Sequence, residues 1–379
     1  MIADASIVTR VLDLAIQIQK IPAPTFEERE RAEFLSNFFR RLGAGDVGMD
    51  EAGNIYVHIV GRGKKPPVVV CAHLDTVFPR STDLTSRRTR ERIFGPGIGD
   101  NSLGLAGLAG LFWALNESSS RRVKRPPQAG DVWLVANVGE EGLGNLRGMR
   151  AVVDRFQGEV QAYIALEGMA LGDVYHRGLS VRRYRISAHT KGGHSWVDYG
   201  SPSAIHELAS LVVRIKEMVL PQTPKSSFNV GMISGGTSVN TIAAEAHLEL
   251  DLRSESNEVL AGMRRQVERL VERANLEGVE GLRVEAEVIG ERPGGEISPD
   301  HPLVGLAVEC LQKNGVQARL NIGSTDANEP LSRGLPAICI GLTSGGGAHT
   351  LGEYIDIEPV QRGLGTMIDL VEALSRSGN

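Results

Sequence analysis

Cysteine is scarce in this chain. Only Cys71, Cys310 and Cys339 occur among 379 residues, and no two are spaced as CxxC. An odd number cannot all pair within one chain, so a disulfide scaffold is excluded and a reduced, cytoplasmic protein is expected. No apolar run approaches the length of a membrane span. Neither charge sign is in large surplus: 41 basic side chains face 46 acidic ones, for a net charge of −5. That balance gives no footing for nucleic acid or an anionic membrane as partner. Aromatic residues make up only 5%, beside 41% hydrophobic and 23% charged, the composition of a soluble globular protein. Internal repeats and low-complexity tracts are absent. So is a secretion signal: Val8, Val11, Leu12, Ala15 and Ile18 line one helical face, while Arg10, Asp13 and Lys20 break any uniform apolar run.

Glycine is plentiful, with 45 residues, which suits many tight turns and loops that approach ligands closely. The length is too great for one ordinary core, so two domains are expected. Thr25 and Glu28 have capping-box spacing for a helix running to about Leu42 and ended by Gly43. Strand patterns follow at Ile55–Val60 and Val68–Ala72, then a Gly/Ala-rich helix at Leu103–Leu115 and strands at Val132–Val138 and Ala162–Leu166. Ser118–Pro127 is polar, basic and proline-containing, and reads as a solvated loop. Alternation of this kind predicts a largely parallel sheet covered on both faces by helices.

The pattern changes near residue 180. Strand Val181–Ala188, helix Pro202–Val219, strands Ser227–Met232 and Glu245–Arg253, helix Glu258–Ala274 and strand Leu282–Ile289 follow in β-α-β-β-α-β order, that of a ferredoxin-like module. The Pro-Gly-Gly at 293–295 marks its end. Helix Pro302–Lys313, strand Ala337–Gly341 and helix Pro359–Ser375 then resume the earlier alternation. The predicted architecture is an α/β catalytic domain in two parts, 1–179 and 295–379, with an inserted α+β lid over 180–294.

Acidic and histidine residues suited to chemistry fall at strand ends. His73 and Asp75 lie two apart after an apolar strand, so they share a face; one imidazole nitrogen can bind metal while the carboxylate orients the ring. Asp100 follows Gly95, Gly97 and Gly99 just before a helix. It reads either as an N-cap or, beyond a strand's carboxyl end, as a carboxylate giving one oxygen to each of two metals. Glu140 and Glu141 follow a buried strand directly. One would bind metal and the other would activate water and pass its proton to a leaving amine; the residues alone do not assign the roles. Glu167 ends another apolar strand, and His349 sits on a glycine-rich loop after a third.

Together, His-Leu-Asp-Thr-Val (73–77), Gly-Pro-Gly-Ile-Gly-Asp-Asn (95–101), Glu-Glu-Gly (140–142) and His349 with Glu353-Tyr354 resemble the zinc-dependent exopeptidase and deacylase family. That family includes carboxypeptidase G, peptidase T, aminoacylase and acetylornithine deacetylase. The resemblance spans essentially the whole chain. It implies two divalent ions, zinc or alternatively manganese or cobalt. His73 and Glu167 would complete one position, Glu141 and His349 the other, and Asp100 would bridge them. Glu140 would be the general base, and Asp75 would orient His73. It further implies that His194, in Lys191-Gly-Gly-His-Ser, is a lid histidine that reaches a neighbouring subunit's site and steadies the oxyanion, hence a homodimer through the lid. Asn240 and Arg253 would hold the substrate backbone or carboxylate.

Two departures leave substrate class open. Pro96-Gly97 and Ser102-Leu-Gly104 flank the bridging aspartate where many relatives carry Arg-Gly before it and Lys-Gly after it, and the second metal position, which varies between aspartate and glutamate among relatives, is Glu167 here. Gly323-Ser-Thr-Asp-Ala-Asn328 resembles the family's Gly-Gly-Thr-Asp loop, and Asn328 points toward the peptidase T-like branch. Short peptides with a free N-terminus are therefore the expected substrates. An N-acyl amino acid deacylase or carboxypeptidase is the alternative, and a metal- or peptide-binding scaffold without turnover is the reading from another class.

Overall fold

The computed structural model describes residues 4–117, 129–276 and 280–376; the expected loop Ser118–Pro127 lies outside them. The described chain divides into two compact units, 1–178 with 295–379, and 179–294.

In the first unit, strands Gly130–Asn137, Lys65–His73, Ala162–Glu167 and Ala337–Gly341 lie side by side and parallel. They are almost wholly apolar and buried on both faces, as helix-covered parallel strands must be. Around this core the sheet reaches nine strands among the described residues. Ile55–Ile59 and Asp46–Met49 are added antiparallel on one side, and Asp173–Gly178, Gly295–Glu296 and Arg319–Gly323 on the other. Helix Leu103–Glu117 is apolar nearly all round, because it is wedged between the sheet and the helices Ala5–Gln19 and Val360–Ser375. Each fully buried leucine there adds roughly 2 kcal/mol of transfer free energy. Since the central strands share one direction, their carboxyl ends converge on one edge.

Several local expectations are corrected. The capping box does not form. The helix runs Arg29–Arg41, its N-cap Glu28 makes no side-chain cap, and Glu28 instead pairs with Arg147 at 3.0 Å. Thr25 Oγ1 donates to the Asp75 carboxylate at 2.8 Å, a long-range bond that outcompetes the local one. Nor does Asp100 cap a helix: it lies within a widened turn, Ile98–Ser102, with extended backbone. Helix Arg147–Phe156, strands Asp173–Gly178 and Arg319–Gly323, and a small sheet built from Arg87–Arg88, Arg92–Phe94, Gly345–Gly346 and Tyr354–Asp356 went unread.

In the second unit, an antiparallel sheet has the order 226–235, 245–254, 180–189, 283–292. With helices Ala204–Lys216 and Asn257–Leu276 on one face, this is ferredoxin-like. Strand Glu245–Ser254 alternates buried Leu248, Leu250 and Leu252 with more exposed Glu249, Asp251 and Arg253, so one sheet face packs on the helices. A two-stranded ribbon, Gly193–His194 against Thr241–Ile242, projects beyond this sheet.

Candidate metal centre

His73 ends its strand fully buried, and three other chain segments come to it. Its Nε2 lies 3.0 Å from Asp100 Oδ1 and 3.8 Å from Glu167 Oε2. The other Asp100 oxygen, Oδ2, lies 3.0 Å from Nε2 of His349, which is also 3.1 Å from Glu141 Oε1. Thus the two oxygens of one carboxylate face two different histidines. His73, Asp100 and Glu167 hold one donor atom each within 4.8 Å of one another; so do Asp100, Glu141 and His349, and so do His73, Glu140 and Glu141.

The donor set fits divalent ions. Atoms bound to one tetrahedral ion at about 2.0–2.1 Å stand roughly 3.3 Å apart, close to the 3.0–3.8 Å between His73, Asp100 and Glu167 and the 3.0–3.1 Å from His349 to Asp100 and Glu141. Imidazole with carboxylate suits zinc, manganese or cobalt. Glu140 belongs to one candidate group only, whereas Glu141 also faces His349. This favours Glu141 as the ligand and leaves Glu140 beside it.

Asp75 stands beside His73 and also holds the neighbouring loop. His73 Nδ1 lies 3.0 Å from the Asp75 backbone carbonyl and 3.5 Å from its carboxylate. That carboxylate also accepts the backbone N–H groups of Glu140 at 3.0 Å and Glu141 at 2.9 Å, and the Thr25 hydroxyl. It therefore pins the loop carrying both glutamates to the strand end carrying His73. Behind it the fully buried Arg31 donates to the carbonyls of Leu74 and Ile21. Burial lowers the Arg31 pKa to about 10, and the Asp75 charge resists that fall.

Electrostatics tie the group together. Burial opposes a charge on His73, yet Asp100, Asp75 and Glu167 outweigh it and raise its pKa well above the usual value. His349 is raised to about 10 by its bonds to Asp100 and Glu141. Desolvation lifts Glu167 to about 7 against the pull of His73. Asp100 is lowered: burial resists its charge, but the two histidines prevail. Such clustering of displaced values marks a functional site.

Two residues within the sequence motifs, assigned no role there, hold this arrangement. The Asn101 side-chain carbonyl accepts from the N–H groups of Gly104 and Gly168, and its amide donates to the Leu166 carbonyl, lashing the Asp100 turn to the Glu167 strand. Glu353, wholly buried, accepts three backbone N–H groups from Gly97, Gly99 and Asp100. Burial pushes it up to about 7 despite those donors. A glutamate four residues after a loop histidine was the only available signal.

Asn328 is not presented to solvent. It is fully buried, accepts from the Thr325 N–H at 3.1 Å and packs against Gly178, so it shapes the 324–328 turn. In the same turn Asp326 accepts from Asn137 at 2.8 Å. His194, Asn240 and Arg253 belong to the second unit. His194 and Asn240 are neighbours there, since the Ser195 N–H donates to the Asn240 carbonyl and His194 pairs with Thr241. Arg253 pairs with Val181 near the opposite end of the sheet and donates to Asp251 at 2.7 Å.

A parallel α/β sheet whose strand ends gather two histidines and several carboxylates around one shared aspartate defines a metal-dependent hydrolase. The chain belongs to peptidase family M20/M25/M40, whose description matches residues 69–373. Uncharacterized protein YqjE of Bacillus subtilis is 24% identical over 97% of this chain and 99% of its own length. Among solved structures, a Staphylococcus aureus tripeptidase superposes with a TM-score of 0.79 at 20% identity, covering 98% of this chain and 99% of that one. Aminopeptidase PepT of Bacillus cereus gives 0.76 at 21% identity, covering 97% and 99%. YXEP of Bacillus subtilis, described as a dinuclear metal binding peptidase of the M20 family, gives 0.65 at 18% identity, covering 98% and 99%.

Proposed function

We propose that this protein is a dinuclear metal-dependent exopeptidase that releases residues from short peptides with a free N-terminus, in the manner of peptidase T. One observation carries the reading: the two oxygens of Asp100 are shared between His73 and His349, each with a further carboxylate beside it. Two divalent ions held there, zinc by preference, would supply Lewis acidity, polarising the scissile carbonyl and acidifying a water. Glu140, whose N–H is held by the Asp75 carboxylate, would take a proton from the attacking water and deliver it to the departing amine nitrogen. His73, Asp100, Glu141, Glu167 and His349 act as ligands.

His194 is suited to meet the developing oxyanion. Its Nδ1 accepts from the N–H groups of Trp196 at 3.2 Å and Val197 at 3.4 Å, so the neutral ring carries its proton on Nε2, ready to donate. Asn240 stands beside it for the substrate backbone, and Arg253 offers a guanidinium to a substrate carboxylate. The strand from Glu245 to Arg253 spans eight steps, about 27 Å, so the His194–Asn240 tip and Arg253 serve the same substrate only if they come from different copies. A homodimer through this unit follows from that reading. The outer strand Ser226–Gly235, with Met232 and Ile233 exposed, offers an edge for pairing. Three free, buried cysteines suit a reducing, cytoplasmic setting. Among the described residues no helix is long and apolar enough to cross a membrane.

The test is a substrate panel of free tripeptides, N-acetyl amino acids and acyl-glutamates with added zinc, manganese or cobalt, run beside Glu140→Gln. Metal-dependent cleavage of tripeptides is expected, falling about 10²- to 10⁴-fold in the variant. Cleavage of blocked substrates alone would instead establish a deacylase or carboxypeptidase.

A further inference from the structure

The geometry points to Glu353 as a positioning residue for the second metal position: by gripping the Asp100 turn, it sets Asp100 Oδ2 against His349, so that the Asp100–Glu141–His349 group forms only when the 345–353 loop is seated on the 95–101 turn. The inference rests on the two-ion reading above and concerns how one of the two positions is made.

The segments that meet here lie about 250 residues apart, and one residue joins them twice. The Glu353 backbone carbonyl accepts the Gly95 N–H at 2.9 Å. Its carboxylate Oε2 accepts the Gly97 N–H at 2.9 Å, and Oε1 accepts those of Gly99 at 2.7 Å and Asp100 at 2.9 Å. The next residue, Tyr354, continues the join as a strand paired with Phe94. Four donors of the turn are thereby tied to the residue four places after His349. The turn needs such a clamp. Gly97 has φ +74° and Asp100 has extended backbone, so the N–H groups of Gly97, Gly99 and Asp100 converge on one point instead of entering a regular helix. A carboxyl group with two oxygen acceptors takes all three donors at once, two on Oε1 and one on Oε2. A glutamine would present an N–H₂ to one of them.

The consequence is asymmetric. His73 and Glu167 are held by their own strands; their position shares Asp100 with the other, but neither residue lies on the 345–353 loop, whereas His349 does. His349 and the outward oxygen of Asp100 depend on Glu353 on both sides. A defect at Glu353 therefore falls on one ion more than on the other. A residue that served only global stability would weaken both alike.

The experiment is titration of the metal-stripped full-length protein with zinc by calorimetry, with bound metal counted after dialysis. Wild type, Glu353→Gln and Glu353→Asp are compared, and circular dichroism confirms that each is folded. The aspartate keeps the charge but is one methylene short of the turn. Wild type is expected to bind two ions per chain. Glu353→Gln is expected to keep the tighter ion within threefold and lose at least tenfold in affinity for the other, with Glu353→Asp between. Two ions with unchanged affinities in a folded Glu353→Gln protein, or equal weakening of both, would overturn the inference. If Glu353→Gln does not fold, Glu353→Asp alone decides by the same criterion. A wild type that binds fewer than two ions would overturn the two-ion reading itself.

Discussion

The two histidines of the centre respond to pH in a way that reports how they are held. In the metal-free protein His349 is raised from 6.5 to about 10 by Asp100 and then Glu141. Glu167 is raised from 4.5 to about 7, chiefly by burial. Each folded-state value lies above its unfolded value. The stabilisation each group gives is thus complete below the unfolded value and disappears as pH climbs through the folded one. Protons leave Glu167 first and His349 later, while the carboxylates around them stay charged. We therefore expect the metal-stripped protein to melt at progressively lower temperature between ~pH 4.5 and ~pH 10, and added zinc to remove most of that slope. Differential scanning fluorimetry across this range checks it; a melting temperature that rises with pH in the stripped protein would contradict the arrangement. At this scale the sequence was informative where chemistry is carried by residue type. His73, Asp100, Glu141, Glu167 and His349 follow apolar strands or glycine runs that announce a strand end. The holding roles of Arg31, Thr25, Asn101 and Glu353 were not legible, because their partners lie tens to hundreds of residues away and no local pattern encodes such a partner.

At the scale of elements, the centre depends on how closely the Asp100 turn approaches the Glu167 strand. A Cβ on Gly168 would stand 2.1 Å from the Gly99 carbonyl oxygen and 2.9 Å from Leu103 Cβ, so any side chain there must push the turn away. Gly168→Ala is expected to move Asp100 off His73, cut zinc affinity at least tenfold and lower the melting temperature by several degrees, of the order for 1–2 kcal/mol in a chain of this size. Calorimetric titration of the variant decides this, and wild-type affinity would refute the close approach. Elements with long periodic patterns were readable. Strand Ala337–Gly341 and helix Pro302–Lys313 fall as expected, and the ferredoxin-like strands and helices differ by a few residues at their ends. What escaped were short or polar strands defined by their partners. Asp173–Gly178 reads Asp-Val-Tyr-His-Arg-Gly, yet it pairs with three other strands. Gly345–Gly346 is a strand only because Tyr354–Asp356 lies beside it. Helix Arg147–Phe156 hid behind two residues in left-handed backbone, Asn145 and Leu146, where sequence suggests a loop.

For the whole molecule, the proposal that a lid histidine serves a neighbouring copy makes a mixing experiment decisive. Glu140→Ala and His194→Ala proteins should each be nearly inactive. Co-expressed or exchanged to equilibrium, half of the dimers are mixed. Each mixed dimer holds one site with both an intact Glu140 and a partner's intact His194, so activity should return to about a quarter of wild type. No recovery, in samples shown by mass to contain mixed dimers, would place His194 on its own subunit's reaction or outside it. The insertion was legible at this scale because the periodicity of the chain changes at 180 and returns after 295. The tip ribbon of Gly193–His194 with Thr241–Ile242 was not, since each strand is two residues long.

Both metal positions depend on the shared carboxylate of Asp100. The most direct measurement is stepwise addition of zinc to the stripped protein while hydrolysis of a free tripeptide is followed, with Asp100→Asn in parallel. The expected result is two ions bound per chain, activity that appears as they load, and an Asp100→Asn protein that is folded but unable to hold both. Full tripeptidase activity without added metal, or two ions and unimpaired turnover in Asp100→Asn, would contradict the account.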